Sequence, residues 1–443
     1  MKKILILGAG RSATTLIAYL IDNAVDNNWF VTIADYSEEL AKKAVGNSEN
    51  SKAIFFNVSD DNHRDEEICN SDIVISMLPA RMHILVAKDC VRLKRNLVTA
   101  SYVSEELKDL DEKAKDAGVL LLNEIGLDPG IDHMSAMQII DEIKEKGGKL
   151  TSFKSFCGGL VHPDYDNNPW NYKFTWNPRN VVLAGQGTAQ YIKQGKYKYI
   201  PYTKLFDRTE TMNIIDAGEF EGYANRDSLS YRYSYGLQDI PTLFRGTLRR
   251  KGFCKSWNMF VQLGMTDDTY IVENSENLTN KEFVNLFFPY NINMSVEDKF
   301  CDYLNISKKS DEFKKAKWLG VFSENITGLE KATPAKILQK ICEAKWTLDS
   351  EDKDMVVMQH QFEYTLNGEN KKLNSSVVVF GDNQRDTAMA KTVGLPVAIA
   401  TKLILNGEIK SKGVKIPTTK DIYLPVLKEL ESNGINFVEE KIS

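Results

Sequence analysis

Aliphatic and β-branched residues gather into short runs near the start of the chain: KILIL at 3–7, FVTIA at 30–34, AIFF at 53–56, DIVIS at 72–76, NLVTA at 96–100 and VLLLN at 119–123. Segments of helical length and mixed polarity separate most of them. Strands that are apolar on both faces and alternate with helices predict parallel strands joined by crossovers, a doubly wound α/β sheet over residues 1–125. From 126 to 264 aromatics, Gly, Asn and Arg become frequent, and short alternating segments predict a second, α+β domain with a mixed sheet. Residues 265–350, with KEFVNLFF, VEDKFCDYL and PAKILQKICEAK, read as a helical insertion. MVVMQHQFEYTL and NSSVVVF flank Asn367-Gly368, a dipeptide suited to a two-residue hairpin turn, so 351–386 is expected to complete the second domain. TAMAKTVGLPVAIATKLILNG, at 387–407, predicts an apolar helix interrupted near Gly394 and Pro396, and 387–443 is expected to pack back on the first domain.

Composition narrows the function classes. The 443 residues carry a net charge of −5, which argues against nucleic acid or an anionic membrane as the main partner. No uninterrupted apolar stretch of spanning length is evident, so no membrane span is expected. The opening MKKILILGAGRSA has only a five-residue apolar run before its glycines, which suits a strand and turn rather than a secretion signal. Six scattered cysteines and five scattered histidines form no metal-ligand spacing, which fits a reducing cytoplasm and no metal. A homodimer is the base-rate expectation for assembly.

Gly8-Ala9-Gly10-Arg11-Ser12-Ala13 closes the first strand and opens a helix, which is the G-x-G-x-x-G/A pattern in the context it requires. The first glycine permits the turn, the second lets backbone approach a pyrophosphate, and Ala13 keeps helix and strand close. A Rossmann-type dinucleotide site follows. Asp35 ends the second strand, where an acidic side chain would accept ribose hydroxyls and repel a 2′-phosphate. No Lys or Arg occurs among Tyr36, Ser37, Glu38 and Glu39, so NAD is the preferred cofactor on this reading, with NADP the alternative. Ligands in open α/β sheets sit beyond the carboxyl ends of strands, which nominates Asn57-Val58, Leu78-Pro79 and Ala100-Ser101-Tyr102. The stretch NEIGLDPGIDHM, Asn123 to Met134, would follow the last strand of this domain and meet the nicotinamide end. Gly126 and Gly130 permit close approach, Pro129 stiffens the loop, and Asp132 would cap the next helix. Asp128 is left without a structural task.

NEIGLDPGIDH, TASYVSEEL (99–107), SFCGGL (155–160), YKFTW (172–176), NRD (225–227), FRGTLR (244–249) and VGLPVAIATKLIL (393–405) together resemble the L-glutamate-forming saccharopine dehydrogenases, also called saccharopine reductases. The resemblance covers most of the chain and is least evident at 265–350. It implies oxidation of L-saccharopine. Hydride leaves the lysine-side carbon beside the secondary nitrogen, water adds to the iminium, and collapse gives L-glutamate and 2-aminoadipate 6-semialdehyde. The reverse direction is a reductive condensation. It also implies substrate contacts at Ser101, Tyr102, Asp128, Arg226 and Arg245-Gly246-Thr247-Leu248. Cofactor contacts would fall on Gly10 to Ala13, Asp35 to Ser37, Asn57, Val58, Leu78, Pro79, Ala100, Ser101, Leu127, Asp128, Pro129 and Trp176. The NADP-using members look more cationic or neutral where this chain has Asp35-Tyr36-Ser37.

Three carboxylates on saccharopine call for Arg forks, with Arg226 and Arg245 the anchors; Arg249 and Arg250 are expected to be solvated. Proton transfer needs a group poised between states, for which Asp128, its pKa raised in a closed cleft, is the first choice and Cys157 and Tyr102 the others. Cys157 is read as sitting at a strand end before two glycines, and His133 as a structural residue that fixes the turn. A polyamine-forming, carboxynorspermidine-type dehydrogenase would need acidic groups where Arg226 and Arg245 stand. A non-catalytic nucleotide-binding relative is the remaining alternative.

Overall fold

The computed structural model describes residues 1–442, and these divide into two compact units. One comprises Met1–Leu150, Tyr364–Lys371 and Val377–Val438; the other comprises Thr151–Glu363, Lys372–Ser376 and the residues from Glu439 on. The early strands are β1 (Lys2–Leu7), β2 (Trp29–Asp35), β3 (Ser51–Phe55), β4 (Ile73–Ser76), β5 (Asn96–Val98) and β6 (Leu120–Leu122). They are followed by β7 (Lys149–Val161), β8 (Ala189–Lys193), β9 (Lys196–Ile200), β10 (Glu210–Ile214), β11 (Gly218–Ala224) and β12 (Thr242–Arg250). The last are β13 (Asp354–Leu366), β14 (Glu369–Phe380), β15 (Gly413–Lys415) and β16 (Val438–Ile442).

The first unit holds a seven-stranded sheet in the order β15-β6-β5-β4-β1-β2-β3, parallel throughout. Order reverses at β1, so the crevice beyond β1 and β4 is the topological switch point where such sheets bind ligands. The apolar runs form the strands as their composition predicts, with Ile4 to Leu7 and Ile73 to Ile75 buried between two helical layers. β15 joins β6 at the edge, and Asp111 secures it by accepting the Val414 amide at 2.8 Å.

The helix Ala388–Leu405 packs along the helix Thr14–Asp22. It is continuous, not interrupted at Gly394 and Pro396. Gly394 permits the close packing of the two helices, since a Cβ there would lie 2.8 Å from the Leu16 backbone nitrogen. This helix is long and apolar enough to cross a membrane, contrary to the expectation that no such segment exists, yet 78% of it is buried inside the fold. It is a core helix here. The division between units falls at Leu150 rather than at 125, because the helix Ile131–Glu145 packs in the first unit against the helix Lys420–Ser432. Tyr423 donates to Asp141 across that contact at 2.7 Å.

The second sheet has nine strands, ordered β10-β11-β12-β7-β13-β14-β16, with β8 pairing β12 and β9. β10, β11 and β12 are antiparallel and β12 meets β7 in parallel, which makes it a mixed sheet. Asn367 and Gly368 both have positive φ, the geometry of the expected two-residue turn between β13 and β14. Helices Asn280–Asn285, Val296–Leu304, Asp311–Leu319 and Pro334–Trp346 occupy the segment between β12 and β13. Trp170 is fully buried among Phe253, Trp257, Phe260 and Trp346, and its indole N–H donates to the Lys315 carbonyl at 2.9 Å. Trp170→Ala should lower stability by about 3–5 kcal/mol through the cavity it leaves, read as a lower urea midpoint.

Candidate active site

The nucleotide side of the first unit is built on the turn that leaves β1. Gly8 has φ +104°, and a Cβ there would meet the Met77 carbonyl oxygen at 2.9 Å. The Ala13 amide bonds back to the Gly10 carbonyl at 2.9 Å, and the space over Gly10 is open. Asp35 fixes this turn from the end of β2. One carboxylate oxygen accepts the Ala9 amide at 2.7 Å and the other the Ser37 amide at 2.8 Å. Ser37 Oγ in turn caps the helix Glu38–Val45 by accepting from Leu40 N at 3.3 Å. Tyr36 is exposed and leans on Phe55, with ring centroids 5.5 Å apart. Arg11 is exposed on the glycine turn, and no protein carboxylate pairs with it among the described residues. Ser12, next to it, is half-buried.

The other strand ends are held equally firmly. Asn57 Oδ1 accepts the Ser59 amide at 3.0 Å, and buried Arg64 donates to the Val58 carbonyl at 2.6 Å while pairing with Asp89. Leu78 is half-buried and Pro79 exposed, just past β4. Ser76, the last residue of β4, lies 2.8 Å from His83 Nδ1, and His83 Nε2 lies 2.7 Å from Ser101 Oγ. Burial lowers the His83 pKa to about 4, so its ring is neutral at physiological pH. Ala100 and Ser101 are half-buried, and the Ser101 amide donates to Thr99 Oγ1 at 3.3 Å.

The loop Asn123 to Met134 is nearly all buried; Asp128 alone is part-exposed. Tyr102 OH donates to Asp128 Oδ1 at 3.3 Å, so two of the three proton-transfer candidates meet. Leu127 and Pro129 flank Asp128 and are buried. Gly130 has φ +147°, and a Cβ there would overlap the Gly126 backbone at 2.1 Å, so no other residue fits. Asp132 is not the helix cap: Gly130 holds that position, and Asp132, already in the first turn, accepts the Gly130 amide at 2.6 Å. His133 is fully buried, 2.8 Å from Glu124 Oε2, while Glu124 Oε1 accepts the Val103 amide at 3.0 Å. This His therefore ties the loop to the segment after β5.

In the second unit, β12 presents alternate residues to opposite faces. Arg245 lies opposite Ser155 and Thr247 opposite Cys157 on β7, which places Arg245, Thr247 and Cys157 on one face. Gly246 and Leu248 belong to the other face, where Gly246 packs against the Phe156 ring and Leu248 is fully buried. Arg245 is 2% exposed, its guanidinium 3.8 Å from the centre of the Tyr231 ring. Thr247 Oγ1 donates to Asn225 Oδ1 at 2.7 Å. Arg226 is exposed on the segment after β11 and has no protein carboxylate beside it among the described residues. Trp176 is half-buried.

Three expectations need correction here. Cys157 is in mid-strand, because β7 continues through Gly158-Gly159 to Val161. Arg249 is not solvated. It is 2% exposed, stacked near Tyr172, Tyr223 and Phe253, and donates to the Leu248 carbonyl at 2.8 Å. Arg250 is half-buried over the Phe220 ring, and burial lowers its pKa.

A 3-2-1-4-5-6 parallel sheet with a glycine turn at its switch point defines a dinucleotide-binding α/β protein of the Rossmann class. Residues 4–122 match the family model of the saccharopine dehydrogenase NADP binding domain, and residues 126–435 match that of the saccharopine dehydrogenase C-terminal domain. The chain belongs to the saccharopine dehydrogenase family. Saccharopine dehydrogenase (NADP(+), L-glutamate-forming) of Saccharomyces cerevisiae is 35% identical over 451 residues, covering 99% of each chain. Mitochondrial alpha-aminoadipic semialdehyde synthase of Mus musculus is 35% identical over 463 residues, 98% of this chain but 47% of that protein. The chain thus spans about half the length of such synthases. The solved apo saccharopine dehydrogenase (L-Glu forming) from Saccharomyces cerevisiae matches with a TM-score of 0.91 at 33% identity, over 100% of both chains.

These findings overturn the NAD preference, since the matching domain is an NADP-binding one and the fungal relatives carry NADP(+) in their names. The physical reason is visible at Asp35. Both of its carboxylate oxygens are engaged by backbone amides, so the residue has a structural task in the turn and its presence at the end of β2 is not by itself a mark of NAD preference. The residues after β2 hold no Lys or Arg, but Arg11, among the expected cofactor contacts, is an exposed cation on the glycine turn itself. Replacing Asp35 with Ala removes two charge-assisted bonds and should weaken NADPH and NADH binding alike, by about tenfold or more. Fluorescence titration with both nucleotides checks this; a change confined to one of them would return Asp35 to a discriminating role.

Proposed function

We propose that the protein oxidises L-saccharopine with NADP+ to L-glutamate and 2-aminoadipate 6-semialdehyde, or carries out the reverse condensation, in lysine metabolism. The observation that carries this reading is the overlap with the fungal L-glutamate-forming enzyme across 99% of both chains. The residues present suit the cofactor. The glycine turn leaves open space at Gly10 for a pyrophosphate, and Arg11 offers a cation with no carboxylate partner among the described residues, on a turn tied to the end of β2. Bound NADP+ supplies the hydride acceptor.

The chain's own groups supply the rest. Asp128, held by the Tyr102 hydroxyl, takes the proton released from the secondary nitrogen and returns it as the carbon–nitrogen bond breaks. Arg226 and Arg245 provide guanidinium forks for substrate carboxylates. Arg245 is rigid, stacked on Tyr231, whereas Arg226 is exposed and free of protein carboxylates among the described residues. Among the described residues the six cysteines form no disulfide, which fits a reducing compartment.

The test is the purified chain with saccharopine and NADP+, following reduced nicotinamide by absorbance; no reduction above a substrate-free blank would end this reading. Asp128→Asn should lower kcat and flatten one limb of the pH–rate profile, because the poised carboxyl is lost while its size remains. Arg11→Ala should raise KM for NADP+ roughly tenfold and leave NAD+ turnover nearly unchanged, as expected for one lost phosphate partner.

A further inference from the structure

Ser76, His83 and Ser101 form a line of three side chains across the carboxyl ends of β4 and β5, with gaps of 2.8 Å and 2.7 Å. Ser76 and His83 are 0% and 1% exposed, and Ser101 at the outer end is half-buried. A neutral imidazole carries one N–H and one bare nitrogen, so the line has a direction. Ser76 decides it. Its hydroxyl meets no acceptor other than His83 Nδ1 among the described residues. Were Nδ1 the protonated nitrogen, the Ser76 hydrogen would be buried without a partner, at a cost of about 1–3 kcal/mol. Ser76 therefore donates to Nδ1, and Nε2–H donates to Ser101 Oγ.

The Ser101 backbone is pinned as well. Its amide donates to Thr99 Oγ1, and its carbonyl accepts the Glu124 amide at 3.0 Å. The incoming Nε2–H occupies an oxygen lone pair, so the Ser101 hydrogen is directed away from His83. We propose that His83 is a positioning residue that makes Ser101 a dedicated hydrogen-bond donor to a carboxylate of the bound substrate. This rests on the functional reading above. It adds to it that a buried, uncharged ring, itself out of reach of substrate, sets the polarity of a substrate contact. With the hydroxyl turned outward, a carboxylate is favoured there over an ammonium group, which would need an acceptor.

Two experiments separate this proposal from the reading beneath it. The first needs no substrate. ¹⁵N NMR of histidine-labelled protein, with the His83 signal assigned by its loss in His83→Gln, should show Nε2 protonated and Nδ1 bare at neutral pH. The opposite tautomer would overturn the proposal whatever the enzyme does. The second is a double-mutant cycle of His83→Phe and Ser101→Ala, reading kcat, both KM values and melting temperature. Each single change should raise the saccharopine KM about tenfold, the worth of one hydrogen bond to a charged group, with KM for NADP+ within about twofold. The double variant should be no worse than Ser101→Ala alone, since the two act as one unit. His83→Gln, which keeps a donor towards Ser101 and folds if Phe does not, should recover most of the loss. Additive effects, a shift in KM for NADP+ instead, or a lower melting temperature with KM unchanged would each overturn the proposal. Absence of saccharopine oxidation by the unaltered protein would instead remove the functional reading.

Discussion

Where a parallel sheet ends, its hydrogen-bond ladder ends too, and the turns that follow carry buried amides that need acceptors. The first unit meets this demand with side chains set at the ends of its strands. Asp35 accepts the amides of Ala9 and Ser37, Asn57 that of Ser59, Thr99 that of Ser101, and Glu124 that of Val103. Asp132 does the same for Gly130 one turn further on. A buried amide left unmet, such as that of Gly130, would cost about 1–3 kcal/mol, so these residues serve the architecture before any ligand arrives. Arg11 is not among these amide acceptors, and the ground over Gly10 is open.

This division of labour explains which parts of the site could be read from the sequence. The glycine turn and the strand ends were legible because spacing and apolar runs follow directly from backbone geometry. Asp35 was legible as a position and misleading as a role. An aspartate at the end of a second strand can accept a ribose hydroxyl or a backbone amide, and the competing donor, Ala9 N, lies 26 positions away in sequence. His83 gave no signal at all, since its two serine partners are brought together only by the crossovers between β4 and β5. The same holds for Gly394, which reads as a helix breaker in isolation and proves to be the place where the Leu16 backbone comes close.

In the second unit, strand alternation separates the arginines from the packing residues. Arg245, Thr247 and Arg249 share a face of β12 with Cys157 opposite, while Gly246 and Leu248 build the packing behind them. A run of five contiguous residues thus divides between two faces of the strand, which composition does not separate. Arg249 shows the limit of charge as a guide to exposure. Its guanidinium is enclosed by Tyr172, Tyr223 and Phe253, whose π faces and a backbone carbonyl replace water. Burial raises the pKa of both tyrosines, so the phenols stay protonated and the enclosure stays neutral.

β15 and the helix Ala388–Leu405 come from the last eighth of the chain, yet one extends the parallel sheet beside β6 and the other covers the helix Thr14–Asp22. During synthesis on the ribosome, the amino-terminal six strands emerge long before these partners exist. The apolar flank of Thr14–Asp22 and the open edge of β6 must wait, uncovered, while hundreds of further residues are translated. A truncation that spared every strand of the early sheet would still strip that helix and that edge of their cover and leave apolar surface prone to association.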